Sequence, residues 1–421
     1  MSSDTGALQA HLSPIEVAEA EPCTSHAGCL PQPVDIDNDG DLVLIVGHDE
    51  CIDDLRVNCQ TAYDLHKPRA FRVDSRAIAR ASRVFKRMLF GGFAESRKPE
   101  SAGESWTVRL PVDTPGAMEV ILRIMHGQVH LVPMFDPLDS KHGSSSLVYY
   151  ITILTDKYDL TTLLRPWANN WLRLFPTCKL SLRRFRFDTY VSESDLDNNL
   201  YYSLMDWLWI SWELGSEEHF LLVFRWLVLH ARMDLENGHL TLKCRTNVRK
   251  MFEPGSHGFY NIEEIIERCR LEIIRHMLQP FHDFWDAFEE LEAPQITFRD
   301  GGIGCQEWPG EAWSDNNSAV LGMMMTALSK LHLWPIPEPQ DIEVSASDLC
   351  SMLRPLQKVI CCPQERRRET EIFVNNAGHY NCNYKPYSFV GLMRLVDTRL
   401  RPEHTKHMET QAGKTGVLSY L

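Results

Sequence analysis

This chain has no long apolar run and no dense block of basic residues, and each absence excludes something. Its longest apolar stretch, Phe220–Ala231, spans 12 residues and carries Arg225. That is short of the roughly 20 apolar residues a membrane-spanning helix needs. The opening residues hold no apolar segment of the kind that heads a secretory signal. The 43 Lys and Arg stand against 57 Asp and Glu, a net charge of −14. A nucleic-acid footprint needs clustered cations. The densest basic run, Arg366–Arg368, is diluted by Glu365, Glu369 and Glu371 and reads as a solvated face rather than a nuclear signal. Neither a membrane nor a direct nucleic-acid partner is expected. The 12 cysteines, without a secretory signal, imply free thiols in a reducing intracellular compartment, cytoplasm or nucleus.

Catalytic signatures are lacking too. There is no G-x-S-x-G elbow, no H-E-x-x-H helix and no kinase motif set. Ala412-Gly-Lys-Thr415 ends like a phosphate-binding loop, but Met408 stands where its first glycine belongs and no strand precedes it. No repeat period is evident. The expectation is a non-enzymatic protein without a cofactor. An enzyme would need an unrecognised site in the C-terminal half, marked by a cluster of perturbed titratable groups.

Two sets of metal-ligand residues call for weighing. Asp35-x-Asp37-x-Asp39-Gly40 opens like a calcium loop, and Asp41 would serve at its seventh position. Position twelve, which requires a bidentate Glu, is Val46. Cys361, Cys362, His379 and Cys382 form a candidate zinc set, with His379-x-x-Cys382 as a chelating pair. Adjacent Cys361 and Cys362 point apart on an extended chain and make no C-x-x-C knuckle, so ordinary thiols are the competing reading.

What is present begins with 421 residues, 44% of them hydrophobic, enough for two or three domains. Residues 1–34 are polar, Pro-containing and aperiodic, which predicts a disordered tail. Asp41–Val46 is a β-rich run ending at Gly47, followed by a polar insert over 48–70. Phe71-Arg-Val-Asp-Ser75 reads as a strand end running into a helix, with Asp74 and Ser75 as capping residues. Ser82 caps a second helix, whose Phe85, Met88 and Leu89 fall at i, i+3 and i+4. Gly91-Gly92 permits the positive φ common at helix ends. Trp106–Val112 fits another strand, and Thr114-Pro115 a helix start with Pro at its first position. Met118, Ile121, Leu122 and Met125 continue that helix to Gly127. A Pro-, Gly- and Ser-rich loop spans 129–146. Leu147, Ile151, Leu154 and Tyr158 make the next stripe, and Leu164, Trp167, Ala168, Trp171, Leu172 and Phe175 the last of this half.

Three of these segments, Phe71–Ser75, Ala81–Leu89 and Phe93–Ser96, resemble the core pattern of a BTB/POZ domain: F-x-V-H-S, A-S-x-V-F-x-x-M-L and F-x-E-S. Asp74 stands where the family often has His. The ordered strand, helix pair, strand, helix and helical hairpin fit the family over residues 36–175. The resemblance implies an α+β fold: a BTB/POZ domain, with a short mixed sheet packed with helices, followed by a mostly α-helical C-terminal domain.

That second domain is expected over 188–400. Its stripes are Leu204, Leu208 and Trp212, breaking near Gly215; Phe220, Phe224, Leu227 and Val228; Ile262 to Met277, ending at Pro280; Phe281 to Phe288; and Leu321 to Leu331, stopped by Pro335. Trp209–Gly215 and Ile266–Ile274 look like the region that follows the BTB domain in fungal proteins of this type. Residues 401–421 read as a flexible tail.

BTB domains are protein-interaction modules, so the resemblance implies self-association or recruitment of another protein. A BTB homodimer would use the stretch around Val43–Ile45 and the region Phe85–Phe93. Phe93-Ala94-Glu95 has the φ-x-E form through which BTB adaptors of ubiquitin ligases touch a cullin, which implies a substrate-adaptor role. The alternative for that motif is that Phe93 packs on its own domain. A transcription regulator is the other class the family offers, and the acidic balance counts against direct DNA contact.

Overall fold

Trp106-Thr-Val-Arg-Leu110 alternates apolar and polar side chains, and it forms a strand that buries Trp106, Val108 and Leu110 while exposing Thr107 and Arg109. This strand, β4, is the edge of a four-stranded mixed sheet in a computed structural model that describes residues 32–47, 64–99, 105–134, 144–175, 198–243, 248–251, 261–289, 322, 324–361 and 400–417. The others are β1 (Val34–Asp35), β2 (Leu42–Val46) and β3 (Arg69–Val73), in the order β1-β3-β2-β4. β2 runs antiparallel to β3 and parallel to β4, and Leu44 lies opposite both Phe71 and Val108. Gly47 ends β2 at φ +86°, where a Cβ would sit 2.8 Å from the Pro115 ring, so only glycine fits.

The two expected caps form. Asp74 Oδ1 accepts the Arg76 N–H (2.8 Å) at the start of α1 (Ser75–Ala81). Ser82 Oγ accepts the Phe85 N–H (3.1 Å) at the start of α2 (Arg83–Phe90). Pro115 opens α3 (Pro115–Met125) as the sequence implies, although the Thr114 side chain makes no capping bond. α4 (Ser144–Lys157), a 3₁₀ turn (Thr161–Leu164) and α5 (Ala168–Leu172) complete the N-terminal half.

The C-terminal half is mostly helical, with α6 (Asn198–Leu214), α7 (Glu217–His230), α8 (Ile262–Glu289) and α9 (Ala346–Cys361). Two expectations are corrected here. The stripe expected to end at Pro280 continues, because α8 runs through that proline to Glu289. A proline inside a helix costs about 3 kcal/mol, and the flanking Met277, Leu278 and Phe281, each fully buried, offset it by packing. The tail expected over 401–421 is instead a helix, α10 (Pro402–Thr415), with His404, Met408, Gln411 and Thr415 buried on one face. Three of those four residues are polar, so no apolar periodicity announces the helix. A three-stranded antiparallel sheet of β5 (Arg232–Asp234), β6 (His239–Lys243) and β7 (Val248–Lys250) also interrupts the helices. Its first turn carries Asn237-Gly238, with Gly238 at φ +65° and Asp234 accepting the Glu236 and Asn237 N–H groups.

The two halves share one hydrophobic core, running from Ile36 to Val417. α4 packs on α6, α6 on α7 and α10, and α7 on α8 and α9; α10 also touches the Thr161–Leu164 turn. Among the described residues, no helix is long and apolar enough to cross a membrane.

Candidate interaction surface

The φ-x-E motif sits where α2 ends. Gly91 accepts no helical continuation, and Gly92 turns the chain at φ +83°. Phe93 is extended and precedes a 3₁₀ turn, Ala94–Ser96. Ser96 returns both its N–H (3.0 Å) and its hydroxyl (2.6 Å) to the Phe93 carbonyl, which fixes the turn. The buried Trp106 indole donates to the Glu95 carbonyl at 2.8 Å, tying the turn to β4.

A second tie runs beneath. Lys98 lies 4.5 Å over the Trp106 ring and pairs with Asp41 at 3.2 Å. Asp41 also accepts the Ser75 N–H and hydroxyl, both at 2.9 Å. Partial burial works to raise the Asp41 pKa, but the Ser75 and Lys98 hydrogen bonds outweigh it and hold the carboxyl below its usual range. The backbone around the motif is therefore anchored at Trp106, Asp41 and Ser75.

The side chains of the motif point away from these anchors. Phe93 is 54% exposed and Phe90, which meets Trp106 edge-on, is 50% exposed. Phe93 is therefore about half exposed rather than wholly packed on its own domain. Glu95 is exposed, and its carboxylate has no ion pair or hydrogen bond with a described residue. An aromatic group held in water beside an unpaired carboxylate is able to anchor a partner and set its register. Along α2 the outward face carries Arg83, Lys86 and Arg87 before Phe90, at i, i+3, i+4 and i+7, while Phe85 and Leu89 face the core. This basic stripe was readable from its spacing but was not singled out from sequence.

The remaining candidates fare differently. Phe85 is fully buried, and β2 is an interior strand on which Ile45 is buried and Val43 half-buried. The stretch Val43–Ile45 therefore offers a second copy little surface. In the Asp35–Asp39 segment, Asp35 pairs with Arg72 (3.4 Å) and Asp37 accepts the Asp39 N–H (2.9 Å). Among the described residues, no three His, Cys, Asp or Glu side chains come together to hold a metal. Cys361 closes α9, and Cys362, His379 and Cys382 lie outside the described residues. Ala412–Thr415 is part of α10, not a phosphate-binding loop.

No protein-family model, no curated protein and no solved structure matches this chain.

Proposed function

We propose that the chain is a non-enzymatic interaction protein of the BTB/POZ type, whose N-terminal half presents the C-terminal end of α2 and the Phe93–Glu95 turn to another protein. The observation that carries this reading is Phe93, 54% exposed on a turn anchored by buried Trp106. A solvent-exposed aromatic on a rigid turn is costly to leave in water and gains from a partner's pocket. The C-terminal helices, sharing the core with this half, brace the surface.

The unpaired carboxylate of Glu95 beside that ring favours a narrower reading, an adaptor that bridges a client to a cullin-based ubiquitin ligase. Co-purification of the tagged protein from its native cells tests both, with wild type beside a Phe93→Ala/Glu95→Lys variant. Partners lost from the variant support the surface, and a cullin among them supports the adaptor. An unchanged set of partners overturns both readings.

A further inference from the structure

We infer that the outward face of α2 docks an acidic amphipathic segment of a partner protein, its carboxylates on Arg83, Lys86 and Arg87 and its apolar side chains on Phe90 and Phe93. The inference rests on the reading above, that this end of the molecule is the docking face, and supplies the chemistry of the occupant.

The first support is charge. Residues 75–98 hold seven Lys or Arg and one acidic residue, Glu95, a local net of +6 in a chain of net −14. From outside this stretch Asp159 and Asp41 come within 4 Å of it, and acidic groups beyond a Debye length of about 8–10 Å are screened. Within it, Arg83 pairs loosely with Asp159 at 3.8 Å and Lys98 with Asp41 at 3.2 Å. Arg76, Arg80, Lys86, Arg87 and Arg97 are exposed and have no ion pair with a described residue.

The second support is shape and polarity. Arg83, Lys86, Arg87 and Phe90 share one helical face, and Val84 beside them is 38% exposed. A partner helix that places Asp or Glu one turn apart, with an aromatic or Leu in the following turn, matches this order of basic then apolar groups. A polyanion such as nucleic acid matches it less well. Glu95 stands at the apolar end, where a continuous run of phosphates would meet a like charge, whereas an acidic segment of a protein can end its charges before it.

The test is a selection of a phage-displayed random-peptide library on the full chain, followed by anisotropy titration of the fluorescein-labelled winners. The reference is a Lys86→Glu/Arg87→Glu variant, with Lys86→Gln/Arg87→Gln as a milder second. Both positions are exposed, and circular dichroism checks that each variant stays folded. The expected winners carry paired Asp or Glu beside an aromatic or Leu. Their affinity falls about tenfold on charge reversal and by less on neutralisation. Winners that are neutral or basic, winners that bind the reversed variant equally, or a selection that enriches nothing would overturn the inference. So would a labelled oligothymidylate that binds through the same two residues more tightly than any peptide. A native partner lost from the Phe93→Ala/Glu95→Lys variant but kept by the reversed variant sinks this inference alone and leaves the docking surface standing.

Discussion

Arg270 offers the sharpest test of how the C-terminal half is held. It sits on α8 with no exposure to solvent. Its Nε donates to the Ala231 carbonyl (3.0 Å) at the end of α7, and its Nη2 donates to the carbonyls of Val344 (2.8 Å) and Ile342. One guanidinium thus joins α8, the end of α7 and the segment that leads into α9. Burial lowers its pKa from 12.5 to about 10, so it remains charged at neutral pH. In Arg270→Met, three carbonyls lose a charged donor, a gross loss of about 1.5–3 kcal/mol each. Against this, the variant is relieved of a buried charge whose penalty, read from the pKa depression, is about 3 kcal/mol. The difference leaves about 1.5–6 kcal/mol of destabilisation. Urea unfolding at neutral pH would show a lower midpoint with an unchanged slope, and amide exchange would speed first around Ile342–Val344. Arg270→Lys, a point charge without the planar fork, should fall between the two. A shift of less than about 1 kcal/mol in the Met variant, or full rescue by Lys, would refute the reasoning.

Three further outcomes test the packing. Gly215 sits at φ +77°, and a Cβ there would lie 2.2 Å from the Ala412 nitrogen on α10; Gly215→Ala should cost at least about 2 kcal/mol and make α10 susceptible to limited proteolysis. Buried Glu213 receives Gln411 Nε2 at 2.8 Å and faces His407 at 3.4 Å. Burial raises its pKa, with His407 pulling the other way and Asp156 adding to the rise. A carboxyl that binds its proton more tightly when folded weakens the fold as pH climbs from 4.5 through the raised value. Glu213→Gln removes that dependence, so its stability relative to wild type should improve across this window; a difference that stays flat with pH would refute the burial argument. Tyr158 donates its hydroxyl to buried Asp113, and Tyr158→Phe should cost about 1–2 kcal/mol in urea unfolding.

How much of this was legible in the sequence depends on how local each signal is. The Asp74 and Ser82 caps and the alternation in Trp106–Leu110 act over a few residues, and the structure reproduces them, whereas the stripe from Leu164 to Phe175 is divided between the Thr161–Leu164 turn and the short α5. α10 was hidden because its buried face is His404, Gln411 and Thr415 around a single Met408; its place is set by Glu213, Trp212 and Leu214 on α6, about two hundred residues earlier in the chain. Thr415, for example, donates to the Leu214 carbonyl at 2.7 Å, and His407 stacks on Trp212 at 4.2 Å. Continuation of α8 past Pro280 likewise depends on tertiary packing that overrides a local breaker. The β5–β6 turn is different: Asn237-Gly238 is a local turn signal, but the strands it joins are only three and five residues long. At the surface, Phe93 and Glu95 were singled out by the family resemblance, which carries no sign of their exposure, since that follows from Trp106 and Asp41 anchoring the turn.

The proposed docking face is tied to the rest of the molecule through α2 itself. At its N-terminus, Ser82 donates its hydroxyl to the Tyr158 carbonyl (2.7 Å), and Phe85 stacks on the Tyr158 ring at 4.3 Å. Beyond its C-terminus, Trp106 holds the Glu95 carbonyl. Tyr158 directly follows α4, which packs on α6, and α6 in turn carries α10. A continuous chain of contacts thus runs from α10 through α6, α4 and Tyr158 to α2, the helix that carries Phe90. Under the proposed function, the helical half serves as a brace for the face that carries Arg83, Lys86, Arg87, Phe90 and Phe93. Tyr158→Phe keeps the stacked ring and the Ser82 bond and removes only the hydroxyl anchored on Asp113, so it should lower stability while leaving the Tyr158–α2 contacts in place.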